Sequence, residues 1–584
     1  MRTLIRRVEH ARRCMVFEGA SRTLAPCLLA LCLLALCLLV LLPHAVMRAQ
    51  DFSEHAQPFT LTGSLITAGE HYDIPGLDTH RPKNTARLYF NPTLSIYGLQ
   101  LPFSFILSTQ ERSFNQPFNQ FGVSPTYRWL TLHAGYRSLR YSEFTLSDAV
   151  LYGGGAEVNT ERFRARAIYG RIRRAVEEDT VTGVLAAYQR MGVATSVGVG
   201  DKDTYLDLNV LYGWDDSTSL TTPRVLSEIR PMENVVGGLN GRLPLFAGRV
   251  VLDAEFAGSF MTRDTDQPEV ENDDVPTPLI TETRYSSRLC YAWRGGASYN
   301  ADLWALRLEY ARVEPEYETM GAIHTQNDYE DVTIKPQFRL ADGSLRAAGS
   351  IGWRHDNLFD DRQYTTNRVI GSANLNWSPS PLFNVDGSYS NYSMSSAAGS
   401  IPVNDSTRLD NVSASWSLSP RLAIAGDRTQ HFLMLLLSRQ VFADENLLTG
   451  ATSDNDVLTA LLGYNLGFAT GYGFSASFLF TEVHTAFVTN IVRGLTVESS
   501  RAFFDNALNA SLSYAINFTR ASSESATDTQ HLVTVNTRYR LSRFDTIEFR
   551  YQYNTYHAVD PARRSYAGSI VRLQYNRGFS FGTN

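Results

Sequence analysis

Cysteine is scarce in this sequence and unevenly placed. Of the five cysteines in 584 residues, Cys290 alone lies beyond residue 40. A chain that keeps one cysteine after its N-terminus cannot form an internal disulfide, which excludes the small disulfide-stapled scaffolds of exported proteins. The histidines are scattered, without a His-Glu-x-x-His arrangement or paired cysteines. The sequence therefore indicates no zinc centre and no other cofactor.

Charged residues are also few, at 19% of the chain against the usual quarter. Their balance of -6 argues against nucleic acid as a partner, since such partners attract basic proteins. The mean hydropathy of -0.19 is too polar for a helical membrane protein, although a membrane barrel has this value because half of each strand faces water. After residue 50 no stretch shows a sustained helical period.

The N-terminus has the layout of a secretory signal peptide. Six arginines between Arg2 and Arg22 precede an apolar run from Leu24 to Leu42, and Ala49 supplies a small residue at a plausible cleavage point. We therefore predict a cleaved signal over residues 1–49 and a single domain over residues 50–584. An uncleaved anchor is the alternative, because the apolar run is long enough to span a bilayer.

The stretch from His531 to Tyr556 alternates apolar and polar side chains with a period of two. Successive side chains of a strand point to opposite faces, so this pattern predicts a hairpin with one apolar and one polar wall. On a soluble sandwich the apolar wall would cover a core. In a transmembrane barrel it would meet lipid, and the polar wall would line a lumen.

The same alternation returns many times after Phe59. Short connections, such as Gly471–Gly473, alternate along the chain with long polar ones, such as Asp215–Glu233. This rhythm predicts an all-β, transmembrane antiparallel β-barrel of about 22–26 strands, with an even number near 24 favoured, short periplasmic turns and long extracellular loops. Closing the strand ladder in lipid would supply the stability that disulfides cannot.

Several charged residues alternate with the apolar ones and are predicted to face the lumen. Arg162, Arg164 and Arg166 form a row of like charge that Asp253, Glu255 and Glu309 could oppose from other strands, which would favour anionic solutes. The alternative, which we favour, is an ordinary solvated wall with weak ion pairs. The full set of candidates is Arg162, Arg164, Arg166, Asp253, Glu255, Arg307, Glu309, Arg538, Arg540, Glu548 and Arg550.

The run from Phe432 to Leu437 is apolar on both faces, which is typical of a strand that packs on an inner element or at a constriction. It predicts a partly filled lumen. The acidic stretch 263–278 could hold calcium, but it lacks the glycine of a known calcium loop, and a solvated surface loop is the favoured interpretation. No motif identifies catalytic residues.

The segment Ser113–Pro125, followed by Tyr127–Tyr136, resembles part of large outer-membrane β-barrel proteins of Bacteroidota-type bacteria. That resemblance implies the barrel and the membrane, and it brings no substrate or catalytic residue. The final strand, Gly568–Tyr575, is similar to the signal by which the outer-membrane assembly machinery recognises its clients. Membrane lipid and this machinery are therefore the predicted partners.

These features predict an outer-membrane barrel that passes solutes, as an open or gated conduit and not as an enzyme. The chain reaches its first predicted strand within about ten residues of the cleavage point, which disfavours a TonB-dependent transporter with its globular plug. A non-conducting surface or assembly barrel, whose loops bind a partner in adhesion or secretion, is the second hypothesis. A hydrolase embedded in the barrel is the third.

Overall fold

The structure is a computed structural model that describes most of the chain beyond residue 58. The described residues are 59–75, 82–97, 99–109, 120–181, 183–221, 228–270, 278, 280–399, 403, 408–446, 448–523, 526–561 and 563–582. The predicted signal peptide, residues 1–49, lies outside them. Within the described residues, no helix has the length and apolarity needed to cross a bilayer.

Strand segments make up nearly all of the regular structure among the described residues. The first fourteen are β1 (Phe59–Asp73), β2 (Asn84–Ile96), β3 (Leu99–Ser108), β4 (Gln120–Val123), β5 (Thr126–Tyr127), β6 (Leu130–Ser138), β7 (Val150–Asn159), β8 (Phe163–Arg173), β9 (Gln189–Gly200), β10 (Tyr205–Asp216), β11 (Glu233–Leu245), β12 (Val250–Thr262), β13 (Ser287–Asn300) and β14 (Trp304–Val313). The others are β15 (Tyr329–Leu340), β16 (Leu345–Asp356), β17 (Tyr364–Ser380), β18 (Phe383–Ala398), β19 (Asp410–Ala425), β20 (Thr429–Asp444), β21 (Asn455–Phe468), β22 (Tyr472–Thr485), β23 (Thr489–Phe503), β24 (Leu508–Ala521), β25 (Asp528–Arg540), β26 (Asp545–His557) and β27 (Tyr566–Gly582). In the described part of the chain, two single helical turns lie at Ala341–Gly343 and Gly450–Ser453.

The strands close into one barrel, because the first strand pairs with the last. β1 is antiparallel to β27, with Leu61 opposite Phe581, and it is also antiparallel to β2. Each later strand pairs with its neighbours in the chain. The predicted all-β transmembrane antiparallel barrel is therefore confirmed, and its 26 strands lie at the upper end of the predicted range.

The 27 segments give 26 strand positions because β4 and β5 are halves of one strand. Both halves lie between β3 and β6, and the ladder is interrupted at Ser124 and Pro125. Proline has no backbone N–H to donate to a neighbouring strand, which explains the interruption. The segment with the family resemblance thus lies in the barrel wall from residue 120 onward, and its residues 113–119 are outside the described part.

The predicted hairpin forms, and the apolar side chains of its two strands lie opposite each other. Val533 lies opposite Tyr553, and Val535 lies opposite Tyr551. The apolar face of such strands is open in the structure, with Leu512 exposed by 55% and Leu573 by 53%. Large apolar side chains left open on one continuous face of a closed barrel define the face that hydrocarbon covers, so we name this the outer face and its opposite the inner face.

The connections at the two ends of the barrel differ in length. At one end they are short, such as 201–204, 246–249, 381–382 and 541–544, whereas at the other end they include 174–188, 217–232, 263–286 and 314–328. The start of β1 and the end of β27 both lie at the short-turn end, because the number of strand positions is even. This confirms the predicted short turns and long loops.

Candidate functional site

Two connections from the long-loop end fold back into the barrel. We name residues 139–149, between β6 and β7, the first inward segment, and residues 314–321, after β14, the second inward segment. Both pack on the inner face of strands β7 to β14 and form the hydrophobic core of the molecule there. The buried side chains of this core are Tyr141, Phe144, Leu146, Ala149, Leu151, Ile168, Ala194, Leu211, Val236, Ala257, Cys290, Ala292, Val313 and Tyr317.

The two inward segments bind each other. The backbone N–H groups of Ser147 and Ala149 donate to the carbonyl oxygen of Gly321 at 3.0 and 3.3 Å. The Tyr317 hydroxyl donates to the carbonyl oxygen of Phe144 at 2.6 Å, and the Thr319 hydroxyl donates to that of Thr145 at 2.7 Å. These bonds satisfy backbone groups that would otherwise be buried without partners, so the two segments form one ordered layer.

The barrel wall below this layer provides space and hydrogen-bond partners. A Cβ atom added at Gly238 would lie 2.9 Å from Cγ2 of Thr145, and one at Gly213 would lie 3.0 Å from Met320. The fully buried Asn234 accepts from the backbone N–H of Met320 at 3.0 Å and donates to Ser259 Oγ at 2.8 Å. The inner face of β10 to β12 is therefore shaped to hold the inward segments.

An acidic side chain on β12 fixes the first inward segment to the wall. Glu255, which is 4% exposed, accepts from the backbone N–H of Phe144 at 2.8 Å. Its other oxygen lies 2.9 Å from the guanidinium of Arg294 on β13, which also binds Glu143 of the first inward segment. A buried carboxylate needs such partners, because burial without them costs several kcal/mol.

The predicted arginine row on β8 pairs with one nearby carboxylate. Arg164 lies 2.7 Å from Asp207 on β10, and Arg166 lies 3.8 Å from its other oxygen. Arg166 also donates to the carbonyl oxygen of Arg140 at 3.2 Å, which links it to the first inward segment. Arg162 lies in the turn before β8 and not on the strand. The row thus forms a local ion-pair cluster.

The acidic residues expected to oppose that row have other partners. Arg307 on β14 makes a two-bond contact with Asp253, at 2.7 and 2.9 Å. Arg307 also binds Glu309 on its own strand, and Glu309 in turn binds Lys335 on β15. These four charges form a connected network on the inner face, so they largely neutralise one another and do not create a field across the lumen.

The inner face of β18 and β19 lies outside this layer and is polar. The hydroxyls of Ser388 and Ser417 are 2.7 Å apart across β18 and β19, and those of Ser390 and Ser415 are separated by the same distance. A depression of about 780 Å³ runs along the wall between β14 and β20, and Arg421 lies 3.1 Å from Asp386 within it. This part of the wall can carry water and polar solutes.

The doubly apolar run 432–437 lies on β20. This strand is not one of those that the inward segments cover. By strand parity Phe432, Met434 and Leu436 face inward, beside Leu461 and Leu479 of neighbouring strands. The lumen is partly filled, but on the side of β7 to β14. The doubly apolar run does not pack on the inward segments and lies on a stretch of open wall with apolar side chains. The alternative interpretation from the sequence, a constriction, stays a prediction.

The predicted charges on β25 and β26 also lie on the polar face. Arg538 is 3.4 Å from Glu548, and both side chains are well exposed. Arg540 and Arg550 follow the same parity, opposite Thr546 and Asn536. Within the described residues, neither of these two arginines has an ion-pair partner.

A hydroxyl–imidazole–carboxylate chain occurs at the interrupted strand. Ser124 Oγ lies 2.8 Å from His133 Nδ1, and His133 Nε2 lies 3.5 Å from Glu157. The His133 side chain is only 7% exposed, and the carboxylate is beyond normal hydrogen-bond distance. These side-chain contacts hold the interrupted strand, at the break between β4 and β5, against β6. This structural role accounts for the serine, the histidine and the glutamate.

The acidic stretch 263–278 lies mainly in a long connection. Residues 271–277 fall outside the described part, so the possible calcium ligands among them are not placed. In the described part of the chain, no group of three or more His, Cys, Asp or Glu side chains is arranged to hold a metal ion. The solvated surface loop, favoured over calcium binding from the sequence, stays the prediction for this stretch.

No protein-family model and no curated protein matches this sequence. Solved structures with some likeness include OccAB4 of Acinetobacter baumannii, with 10% identity, a TM-score of 0.26, and 91% of this chain and 100% of that chain covered. OccK7 of Pseudomonas aeruginosa has 10% identity, a TM-score of 0.31, and coverage of 90% and 99%. A mutant of the Pseudomonas aeruginosa ferric enterobactin receptor PfeA has 10% identity, a TM-score of 0.40, and coverage of 90% and 81%.

The likenesses are low, and the architecture described above follows from the strand pairing of this chain itself. A closed barrel of this size, with an apolar band outside and charges inside, indicates an outer-membrane protein.

Proposed function

We propose that this barrel is a conduit for small hydrophilic solutes, which pass along the part of the lumen that the inward segments leave open. One observation carries the proposal: the inward segments cover the inner face of β7 to β14, whereas polar side chains of later strands, such as Ser388 and Arg550, remain exposed. A wall that is polar and uncovered can hold a continuous path of water.

The size of the barrel supports the same function. Barrel diameter grows with strand number, and about 16–18 strands already leave an aqueous channel. With 26 strands, the wall encloses more space than a layer of two short segments can fill. The layer narrows the lumen from one side, and its hydrogen bonds to Glu255 and Asn234 hold the narrowing in place.

Planar-bilayer recording of the purified barrel tests this proposal. We expect discrete conductance steps, and a severalfold larger conductance when residues 140–148 are replaced by a short Gly-Ser linker. A matched control places the same linker in the connection 486–488, where Phe487 is 80% exposed and the flanking strands are remote from β7 to β14 in the strand order. The control is expected to conduct like the parent barrel.

A folded barrel that conducts nothing, with or without residues 140–148, would refute the conduit. That outcome would favour the surface or assembly role, in which the long connections bind a partner. The contact of β27 with the outer-membrane assembly machinery is a separate proposal. It is supported by the position of that strand, which closes the barrel against β1.

A further inference from the structure

Two arginines lie side by side on the inner face of the last strands. Arg550 of β26 is directly opposite Arg572 of β27 in the antiparallel ladder, and both side chains are exposed. Side chains directly opposite each other in such a pair have Cβ atoms only about 5 Å apart. Both residues lie near the middle of their strands, so the two guanidinium groups project into the lumen midway through the barrel.

The polar contact of this pair is to a neutral group. Arg572 donates to the side-chain oxygen of Gln574 at 2.9 Å, which leaves the positive charge in place. Within the described residues, neither Arg550 nor Arg572 forms an ion pair. Like charges directly opposite each other weaken a strand pair, so the arrangement costs stability.

Two carboxylates lie close enough in the ladder to neutralise one of these arginines. Glu548, two residues before Arg550 on β26, is paired with Arg538. Glu70 of β1 is opposite Arg572 on the other side of β27, but its carboxylate has contacts of its own that do not include Arg572. The pair of arginines therefore keeps a net positive charge toward the lumen.

Three inner arginines on β8, β13 and β14 differ from this pair. Arg164, Arg294 and Arg307 each lie within 3 Å of a carboxylate oxygen. Their charges are neutralised locally, so they attract a passing anion weakly. Arg550 and Arg572 instead present two planar donor groups to open water.

We propose that Arg550 and Arg572 form a binding site for an oxyanion, a carboxylate or phosphate group of a passing solute. The proposal deepens the conduit function and rests on it for the passage of the solute. A guanidinium donates two parallel hydrogen bonds to such a group, and the anion relieves the repulsion between the two arginines. The hydrogen bond to Gln574 orients one of the two guanidinium groups before the solute arrives.

The electrical test compares the parent barrel with the double variant Arg550→Gln, Arg572→Gln under a potassium chloride gradient. The parent is expected to prefer chloride. At low salt, where screening is weak, the anion-to-cation permeability ratio should fall by about fourfold for each charge removed. An unchanged ratio in the double variant would overturn the site while leaving the conduit intact.

A matched control separates a binding site from a simple change of net charge. Arg538→Gln removes one positive charge from the same wall, but its guanidinium is already paired with Glu548. Inorganic phosphate and acetate are then titrated calorimetrically into each detergent-solubilised barrel. We expect binding of at least one of them to weaken about tenfold or more in the double variant and to persist in Arg538→Gln.

The calorimetric arm does not require conduction, so the two proposals fail separately. A silent barrel that binds phosphate or acetate through Arg550 and Arg572 refutes the conduit and keeps the site. A conducting barrel with equal or no anion binding in parent and double variant refutes the site. Binding of phosphate without acetate, or the reverse, identifies which oxyanion the site takes.

Discussion

The inner wall of this barrel has two sides whose charged side chains differ in exposure. On the covered side, β7 to β14, the carboxylates of Asp207 and Glu255 are at most 6% exposed, and each has an arginine partner. On the open side, β15 to β27, Arg538 and Glu548 are paired loosely, with exposures of 66% and 40%. Arg550 has no ion-pair partner there within the described residues.

The difference follows from the surroundings of each charge. Below the inward segments water is excluded, so an unpaired charge would cost several kcal/mol and every charge needs a partner. On the open side water screens the charges, and an exposed pair contributes about 1 kcal/mol or less. Strands with the same alternating pattern can therefore build a core on one side and a hydrated, solute-facing surface on the other.

The largest expected effect comes from forcing the inward segments off the wall. A Cβ atom at Gly321 would lie 2.3 Å from the carbonyl oxygen of Thr145 and 2.8 Å from Leu211. We expect Gly321→Val to weaken the attachment of the segments by about 3 kcal/mol, as overpacking of a core does. Cys290, buried on β13 within this core, reports the change through its rate of reaction with a maleimide.

The matched control is Gly237→Val, since a Cβ at Gly237 of β11 meets no atom within 4 Å. The thiol should react much faster in Gly321→Val and at the parent rate in Gly237→Val, with Cys290→Ser as the blank. Slow labelling of Gly321→Val in a folded barrel would show that the covered side does not depend on this close contact.

A smaller effect is expected from Glu255→Gln. The change removes the charge that binds Arg294 and weakens the acceptor for the backbone N–H of Phe144, at an expected cost of about 2 kcal/mol. The same change on the open side, Glu548→Gln, should cost less than about 1 kcal/mol. The stability of both variants is measured by the apparent melting temperature and by Cys290 labelling. Equal losses of stability in the two variants would contradict the distinction between the two sides.

The wall of this barrel was predictable from sequence, because a strand with one face in lipid must alternate apolar and polar side chains at every step. The apolar and polar faces of the 531–556 hairpin follow from that local constraint. For the same reason, the positions of Arg164, Glu255 and Arg307 between apolar residues predict that their side chains point inward. Parity cannot give partners across strands that are distant in sequence, so the pairing of Arg164 with Asp207 was not foreseen.

The inward segments were missed because nothing local marks them as internal. The stretch 139–149 has the serine, acidic and aromatic residues of an ordinary loop, and its burial depends on contacts with residues 314–321 and β12. A signal was present in the wall itself. Gly213 and Gly238 lie at inner positions of β10 and β11, where small residues accommodate a close neighbour, but glycine in a strand equally marks a bulge or a tight bend.

The smallest expected effect concerns pH at the rim of the covered side. Burial raises the pKa of Glu314, which follows β14, above its ordinary value, although the backbone N–H of Tyr291 donates to it at 2.8 Å and Arg312 opposes the shift. A raised pKa means that this residue stabilises the fold most at pH values below its ordinary pKa, and that the contribution is lost as pH rises through the raised value. Glu314→Gln should therefore raise the apparent melting temperature at pH 7 by on the order of 1 °C and leave it unchanged near pH 4. A lower melting temperature for the variant at pH 7 would show instead that the charged carboxylate stabilises the second inward segment.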